Sequence, residues 1–142
     1  GSFPDVLREL ARRKLVDKIF LDIKAHPLKP MRYSEITKGA YIVADRVIQS
    51  LNIPEITIEA RTTIFRSFND SLEIAKYLVD NNYNGVYVIQ QGVPWNTPDN
   101  KIRKEDILTR EEMISIAKNI NTGIGLKGIN IRTREKGEEY II

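Results

Sequence analysis

The sequence predicts an α/β domain of about four mainly parallel strands joined by crossover helices, with a short C-terminal strand or hairpin. Three observations carry this. Helical and strand patterns alternate along the whole chain, and strict alternation implies parallel strands with helical crossovers. The strand candidates, at 16–26, 55–65, 86–90 and 129–133, are short apolar or β-branched runs, of a length that suits strands. The intervals carry amphipathic stripes with cap signals.

The elements follow in order. Residues 4–15 read P-D-V-L-R-E-L-A-R-R-K-L. Val6, Leu7, Leu10, Ala11 and Leu15 make a helical stripe, Pro4 suits the first turn, and Asp5 and Glu9 sit towards the positive end. Residues 16–26, V-D-K-I-F-L-D-I-K-A-H, read as a strand buried on both faces. Alternation puts Asp22 and Lys24 on one face and Leu21 and Ile23 on the other. Two prolines mark a loop over 26–30. Residues 34–52 are helical, in two pieces if Gly39 breaks them; Ile42, Val43, Val47, Ile48 and Leu51 share one side of the second piece, and Pro54 closes it. Residues 55–65, E-I-T-I-E-A-R-T-T-I-F, are β-branched enough for a strand, with a helix from Pro54-Glu55 as runner-up. Asn69-Asp70-Ser71 starts a helix over 71–81 that turns Leu72, Ile74, Ala75, Leu78 and Val79 inward. N-N-Y-N-G at 81–85 is a turn, and V-Y-V-I-Q at 86–90 a short buried strand.

A loop of Gly, Pro, Asn and Asp spans 92–103. Thr109 caps the next helix, with Glu112 completing a capping box; Met113, Ile116, Ala117 and Ile120 form its stripe. Gly123-x-Gly125 reads as a helix-end turn rather than a phosphate cradle. After 129–133, Glu135-Lys136-Gly137-Glu138 turns the chain into the terminal strand or hairpin arm.

The 142 residues suffice for one domain with a real core, expected over 3–142, and Gly1-Ser2 look like a cloning scar. A net charge of +3 is too mild to imply nucleic acid. No apolar run approaches the roughly 20 residues of a membrane span, and there is no signal peptide, so a cytoplasmic protein with no membrane partner is expected. The chain has no cysteine, which removes disulfides, thiolate nucleophiles and cysteine-ligated iron–sulfur clusters from its own repertoire. Its one histidine, His26, can complete no histidine metal site or triad and reads as a loop residue. Neither common glycine-rich phosphate loop is present.

With the strands parallel, their C-terminal ends lie side by side, where α/β folds build sites. They offer Asp22 and Lys24; Arg61, Thr62 and Thr63; Gln90 and Gln91; Arg132 and Arg134. Lys24 or Arg61 suits a carboxylate, the arginine bidentately. Asp22 suits an ammonium, a hydroxyl or a cation. Gln90 and Gln91 suit ribose hydroxyls or a purine edge. A polar residue after a strand ordinarily just re-enters solvent, but here the groups coincide on three consecutive strands. Trp95, in the proline-rich loop, reads as a packing anchor or as a ring that stacks on a ligand.

L-V-D-K-I-F-L-D-I-K-A at 15–25, Y-S-E-I-T-K-G at 33–39, E-A-R-T-T-I-F at 59–65, Y-V-I-Q-Q at 87–91 and I-R-T-R at 131–134 cover nearly the whole chain. In order and spacing they resemble the C-terminal part of a radical S-adenosylmethionine protein. Within that superfamily the chain resembles the activating enzymes of anaerobic ribonucleotide reductase and pyruvate formate-lyase, in their archaeal-looking form. The resemblance implies a partial (β/α)6 barrel. It also implies a [4Fe–4S] cluster that cleaves S-adenosylmethionine to a 5′-deoxyadenosyl radical, which takes a glycine hydrogen from a partner glycyl-radical enzyme. It implies cofactor-binding roles for Asp22 and Lys24 at a ligand or cation site, for Arg61 near the methionine carboxylate and for Gln90 or Gln91 near the ribose, with Thr63 as a further cofactor-binding candidate.

The three-cysteine motif and the glycine-rich strand of that family are absent. The chain alone is therefore expected to be inactive, with S-adenosylmethionine and the cluster belonging to a parent protein whose N-terminal half is its missing partner. Without that half the first strand has an open edge, expected to self-associate or to be covered by the chain's own termini.

Two other readings stand beside this one. Met31-Arg32-Tyr33-Ser34-Glu35-Ile36 followed by a second helix resembles a helix-turn-helix, although that helix carries Asp45 and little basic charge. The third reading is a non-catalytic ligand-binding domain.

Overall fold

The computed structural model describes residues 3–37, 44–96 and 102–142. Its elements are α1 (Pro4–Arg12), β1 (Lys18–Asp22), α2 (Pro30–Thr37), α3 (Ala44–Leu51), β2 (Thr57–Ile64), α4 (Ser71–Asp80), β3 (Val86–Gln91), α5 (Arg110–Ile124), β4 (Ile129–Thr133) and β5 (Gly137–Tyr140). The strands form one sheet in the order β1-β2-β3-β4-β5. β1 to β4 are parallel, and β5 returns antiparallel on β4. The α/β class, the parallel strands and the terminal hairpin are as expected from the sequence. The segment that also resembled a helix-turn-helix supplies α2 and α3, between β1 and β2, and α3 turns Val47 and Leu51 into the core.

Register sorts the side chains into two faces. Leu21, Ala60, Tyr87 and Ile129 share one row, and all are buried. Ala11 from α1, Leu51 from α3, Ile74 and Leu78 from α4, and Met113, Ala117 and Ile120 from α5 join that row in a single core cluster. The opposite face reads Phe20–Glu59–Val86, then Asp22–Arg61–Val88–Asn130–Tyr140, then Thr63–Gln90–Arg132–Glu138. That face is charged and lies away from the four packing helices. Lys18 on one border strand helps to hold the carboxyl of Glu138 on the other border low, after Asn130 and Arg132 and against the effect of burial.

The expectation that 16–26 is buried on both faces fails. Only the Leu21 side is covered; Lys18 and Asp22 are exposed and Phe20 is 51 % exposed. Charges at every second position mark a one-sided strand, and the apolar Phe20 between them obscured the alternation. Some stripe residues also face out. Val6 and Leu15 are exposed, because α1 stops at Arg12 and Lys14 turns the chain at φ +54°. Leu72 faces out from the first turn of α4, and Tyr77 packs inward. α2 starts at Pro30, earlier than expected. The Gly39 break and the inward Ile42 and Val43 lie outside the described residues. The Thr109–Glu112 capping box forms, and Gly125 ends α5 in the left-handed conformation.

Two tethers hold the loops beside the strand ends. Arg66, just after β2, donates its backbone N–H to Asp106 O at 2.8 Å and pairs bidentately with Glu112 on α5, the Nη2–Oε2 arm at 2.7 Å. Gly92 follows β3, and any Cβ there would collide with the Phe65 ring. At the other end of the sheet, Tyr83 Oη accepts from Ala60 N at 3.0 Å and lies 2.9 and 2.7 Å from the carbonyl oxygens of Ile58 and Val86. The phenol thus stands in for a strand residue where β3 has not yet begun.

Tyr83→Phe removes those partners without changing the ring. It is expected to cost about 1–3 kcal/mol, the penalty for a buried backbone group left unpaired, read as a lower midpoint in urea denaturation. Glu112 gives a pH prediction. Arg66, and then the Thr109 N–H, hold its carboxyl down at about 2. A depressed folded-state pKa stabilises above the ordinary 4.5 and loses that contribution as pH falls towards about 2. Glu112→Gln should therefore be less stable than the parent chain at pH 7, with the gap shrinking as pH falls below 4.5 and closing only below about 2. Added salt should shrink the gap, because the pair is solvent-exposed.

Candidate ligand-binding site

A cavity of about 860 Å³ opens at the C-terminal ends of β1 to β4. Each strand delivers side chains to it because parallel register brings equivalent positions to one level. Thr63, Gln90 and Arg132 come from a single row, with Lys24 beyond the end of β1 and Arg134 beyond β4. α2 and the loop after β2 supply walls through Arg32, Glu35, Phe65 and Phe68.

The structure separates the six strand-end candidates. Lys24, Thr63, Gln90 and Gln91 line the cavity. Asp22 lies just behind them, its Oδ2 3.4 Å from Lys24 Nζ. Burial, and then the charge of Asp22, raise the Tyr33 hydroxyl above its ordinary value. Arg61 sits one row deeper on the charged face of the sheet. Its Nε donates to Glu59 Oε1 at 2.6 Å, and its guanidinium lies 3.6 Å from the Phe20 ring centroid.

Gln91 differs from its neighbour Gln90. Both ends of its amide are used by loops: Nε2 donates to Leu108 O at 2.6 Å, and Oε1 accepts from Arg134 N at 3.0 Å. Thr62 points into the core and donates to Ile23 O at 3.0 Å. His26 accepts from Leu28 N at 3.1 Å through Nδ1, and its ring meets Tyr77 edge-on at 5.3 Å, so it shapes the β1–α2 loop.

Two participants went unrecognised in the sequence. Arg32 stands out in the sequence only within the helix-turn-helix resemblance, yet it spans Asp70 at 3.4 Å and Glu35 at 3.1 Å and lies over Phe68 at 4.6 Å. Asp70 then Glu35 strengthen its proton affinity against burial. The signal lay in its i, i+3 spacing to Glu35. Glu59 is 1 % exposed and holds Lys18 Nζ at 2.5 Å as well as Arg61. An acid two residues before an arginine inside a strand shares its face, so this pair was legible too.

Among the described residues the lining carries Lys24, Arg32, Arg132 and Arg134 against the one carboxylate of Glu35. Arg32 is neutralised as described, and Arg132 pairs with Glu138. The balance left over suits an anionic or zwitterionic ligand, with Thr63 and Gln90 offering neutral polar contacts. No group of three or more His, Cys, Asp or Glu gathers as a metal site among the described residues. No helix among them is long and apolar enough to cross a membrane.

Comparison with known proteins gives one informative likeness. No family model and no solved structure matches the chain. The chain is 22 % identical over 121 residues to a Methanocaldococcus jannaschii protein named "Putative glycyl-radical enzyme activating enzyme". The match covers 83 % of this chain and 50 % of that protein, so the chain spans about half the length of the curated relative. The similarity thus links the chain distantly to a glycyl-radical-enzyme activating enzyme.

Proposed function

We propose that this chain is the C-terminal barrel portion of a radical S-adenosylmethionine enzyme of the glycyl-radical-activating type. One observation carries the reading. The polar ends of β1, β2 and β3 converge on one cavity, at the level of the sheet where α/β enzymes hold ligands. The likeness to an activating enzyme over half its length supports it.

The donor set fits S-adenosylmethionine in part. Lys24 would hold the methionine carboxylate as a point charge, and Asp22 beside it would accept from the ammonium or hold a cation. Thr63 and Gln90 would meet the ribose hydroxyls. Gln91 would act from behind, by fixing Arg134 and the loop before α5. Arg61 would present its terminal nitrogens to the charged face, with its Nε already committed to Glu59. When bound, S-adenosylmethionine would supply, on receiving one electron from a reduced cluster on the other half of the protein and losing methionine, the 5′-deoxyadenosyl radical for hydrogen abstraction from a partner's glycine.

The residues of this chain do not fit the iron–sulfur cluster. That group takes thiolate ligands, and the chain has no cysteine. The reading therefore assigns the cluster to the other half of a longer protein, with this half inactive alone. It also gives β1 a role as a border strand: the strand before it in the longer protein would pair there.

The test is the full reading frame. It is expected to encode three closely spaced cysteines upstream of Phe3. After anaerobic reconstitution with iron and sulfide, the full protein should release 5′-deoxyadenosine from S-adenosylmethionine. Lys24→Met should slow this at least about tenfold, as expected from losing one charge-assisted contact, with an unchanged melting temperature. A frame without those cysteines, or a cluster-loaded protein that makes no 5′-deoxyadenosine, contradicts the reading.

A further inference from the structure

Among the described residues, Arg134 is the cavity cation with no carboxylate partner. Arg32 faces Asp70 and Glu35, Arg132 faces Glu138, and Lys24 has Asp22 at 3.4 Å. No carboxylate of the described residues lies within ion-pair distance of Arg134, although it lines the same cavity. Its position is nonetheless built. The backbone N–H of Arg134 is held by Gln91 Oε1 at 3.0 Å, and Gln91 is itself anchored to Leu108 O at 2.6 Å. The guanidinium lies 4.6 Å from the ring centroid of Trp95, which is 60 % exposed on the turn after β3. A stacked guanidinium is fixed through its face, while its in-plane N–H donors stay available.

We propose that Arg134 and Trp95 form a separate oxyanion subsite at the β4 end of the cavity, taking a carboxylate or phosphate group of the molecule acted on. The fork of Arg134 matches either group bidentately. Both side chains are exposed, so an arriving anion reaches the guanidinium directly and the contact should weaken with added salt. Lys24 lies beyond β1 and Arg134 beyond β4, three strand spacings apart, or about 14 Å in a flat sheet. The two cations thus come from opposite borders of the parallel strands, so the two ends of the cavity can take different groups. The inference rests on the proposed function only for what occupies the Lys24 end. Anion binding at Arg134 is measured without S-adenosylmethionine, so either reading can fail without the other.

Trp95 is the sole tryptophan of the chain, so its emission reports on this subsite directly. The chain is titrated with methyl phosphate and, separately, with acetate, at constant ionic strength set by chloride. A saturable change in emission is expected, with the midpoint raised at least tenfold by Arg134→Gln and unmoved by Lys127→Gln, an exposed cation before β4. The tighter of the two anions identifies the group as phosphate or carboxylate. The ¹H–¹⁵N signal of Arg134 Nε, followed in the same titration, decides the case if emission stays constant. Equal midpoints in the parent chain and Arg134→Gln, or no saturable response from either probe, overturn the proposal.

Discussion

Parallel, in-register pairing of β1 to β4 is the constraint on which the rest of the structure depends. Parallel neighbours need a crossover, and here α3, α4 and α5 all return over the same face, where α1 also packs. That face becomes the core, and Leu21, Ala60, Tyr87 and Ile129 meet in one row because the register allows nothing else. The same register sends Phe20, Asp22, Glu59, Arg61, Gln90 and Arg132 to the other side. Strand ends then arrive together, and a cavity forms where four chain segments leave the sheet.

The charged face of the sheet has to satisfy its own charges. Glu59 is almost wholly buried, and an unpaired carboxylate there would be costly. Lys18 and Arg61 close on it from two strands, and Phe20 lies under both cations, at 4.9 Å from Lys18 and 3.6 Å from Arg61. This interaction explains an aromatic residue on a face otherwise made of charges. It also separates the two arginine environments: Arg61 is tied down through Nε, whereas Arg134 is held by a ring and by its own backbone.

How much of this was legible depended on local signals. β4 falls on the expected residues because a glycine at φ +69° precedes it and a turn with Gly137 at φ +71° follows. The start of α5 was equally plain, since Thr109 and Glu112 satisfy each other within four residues. The two faces of β1 were not, because Phe20 looks like core until Lys18 and Arg61 are seen around it. Gln90 and Gln91 were indistinguishable as residues, yet period-2 geometry gives one to the cavity row and the other to loop anchoring. Arg32 reaches the site only through α2, whose place over β1 is set by Asp70 and Phe68, far away in sequence. Local patterns therefore specified the elements and most strand-end groups, while long-range contacts decided which groups share a site.

The central claim is that ligand recognition belongs to the strand-end cavity, with S-adenosylmethionine at its β1–β3 side. Chemical-shift mapping of the ¹⁵N-labelled chain during titration with S-adenosylmethionine tests it most directly. The account predicts shifts at the backbone amides of Lys24, Thr63 and Gln90, with those of Tyr83 and Gly85 at the opposite end of the sheet unmoved. Shifts centred on Tyr83 and Gly85, or none at the strand ends at saturating ligand, would contradict it.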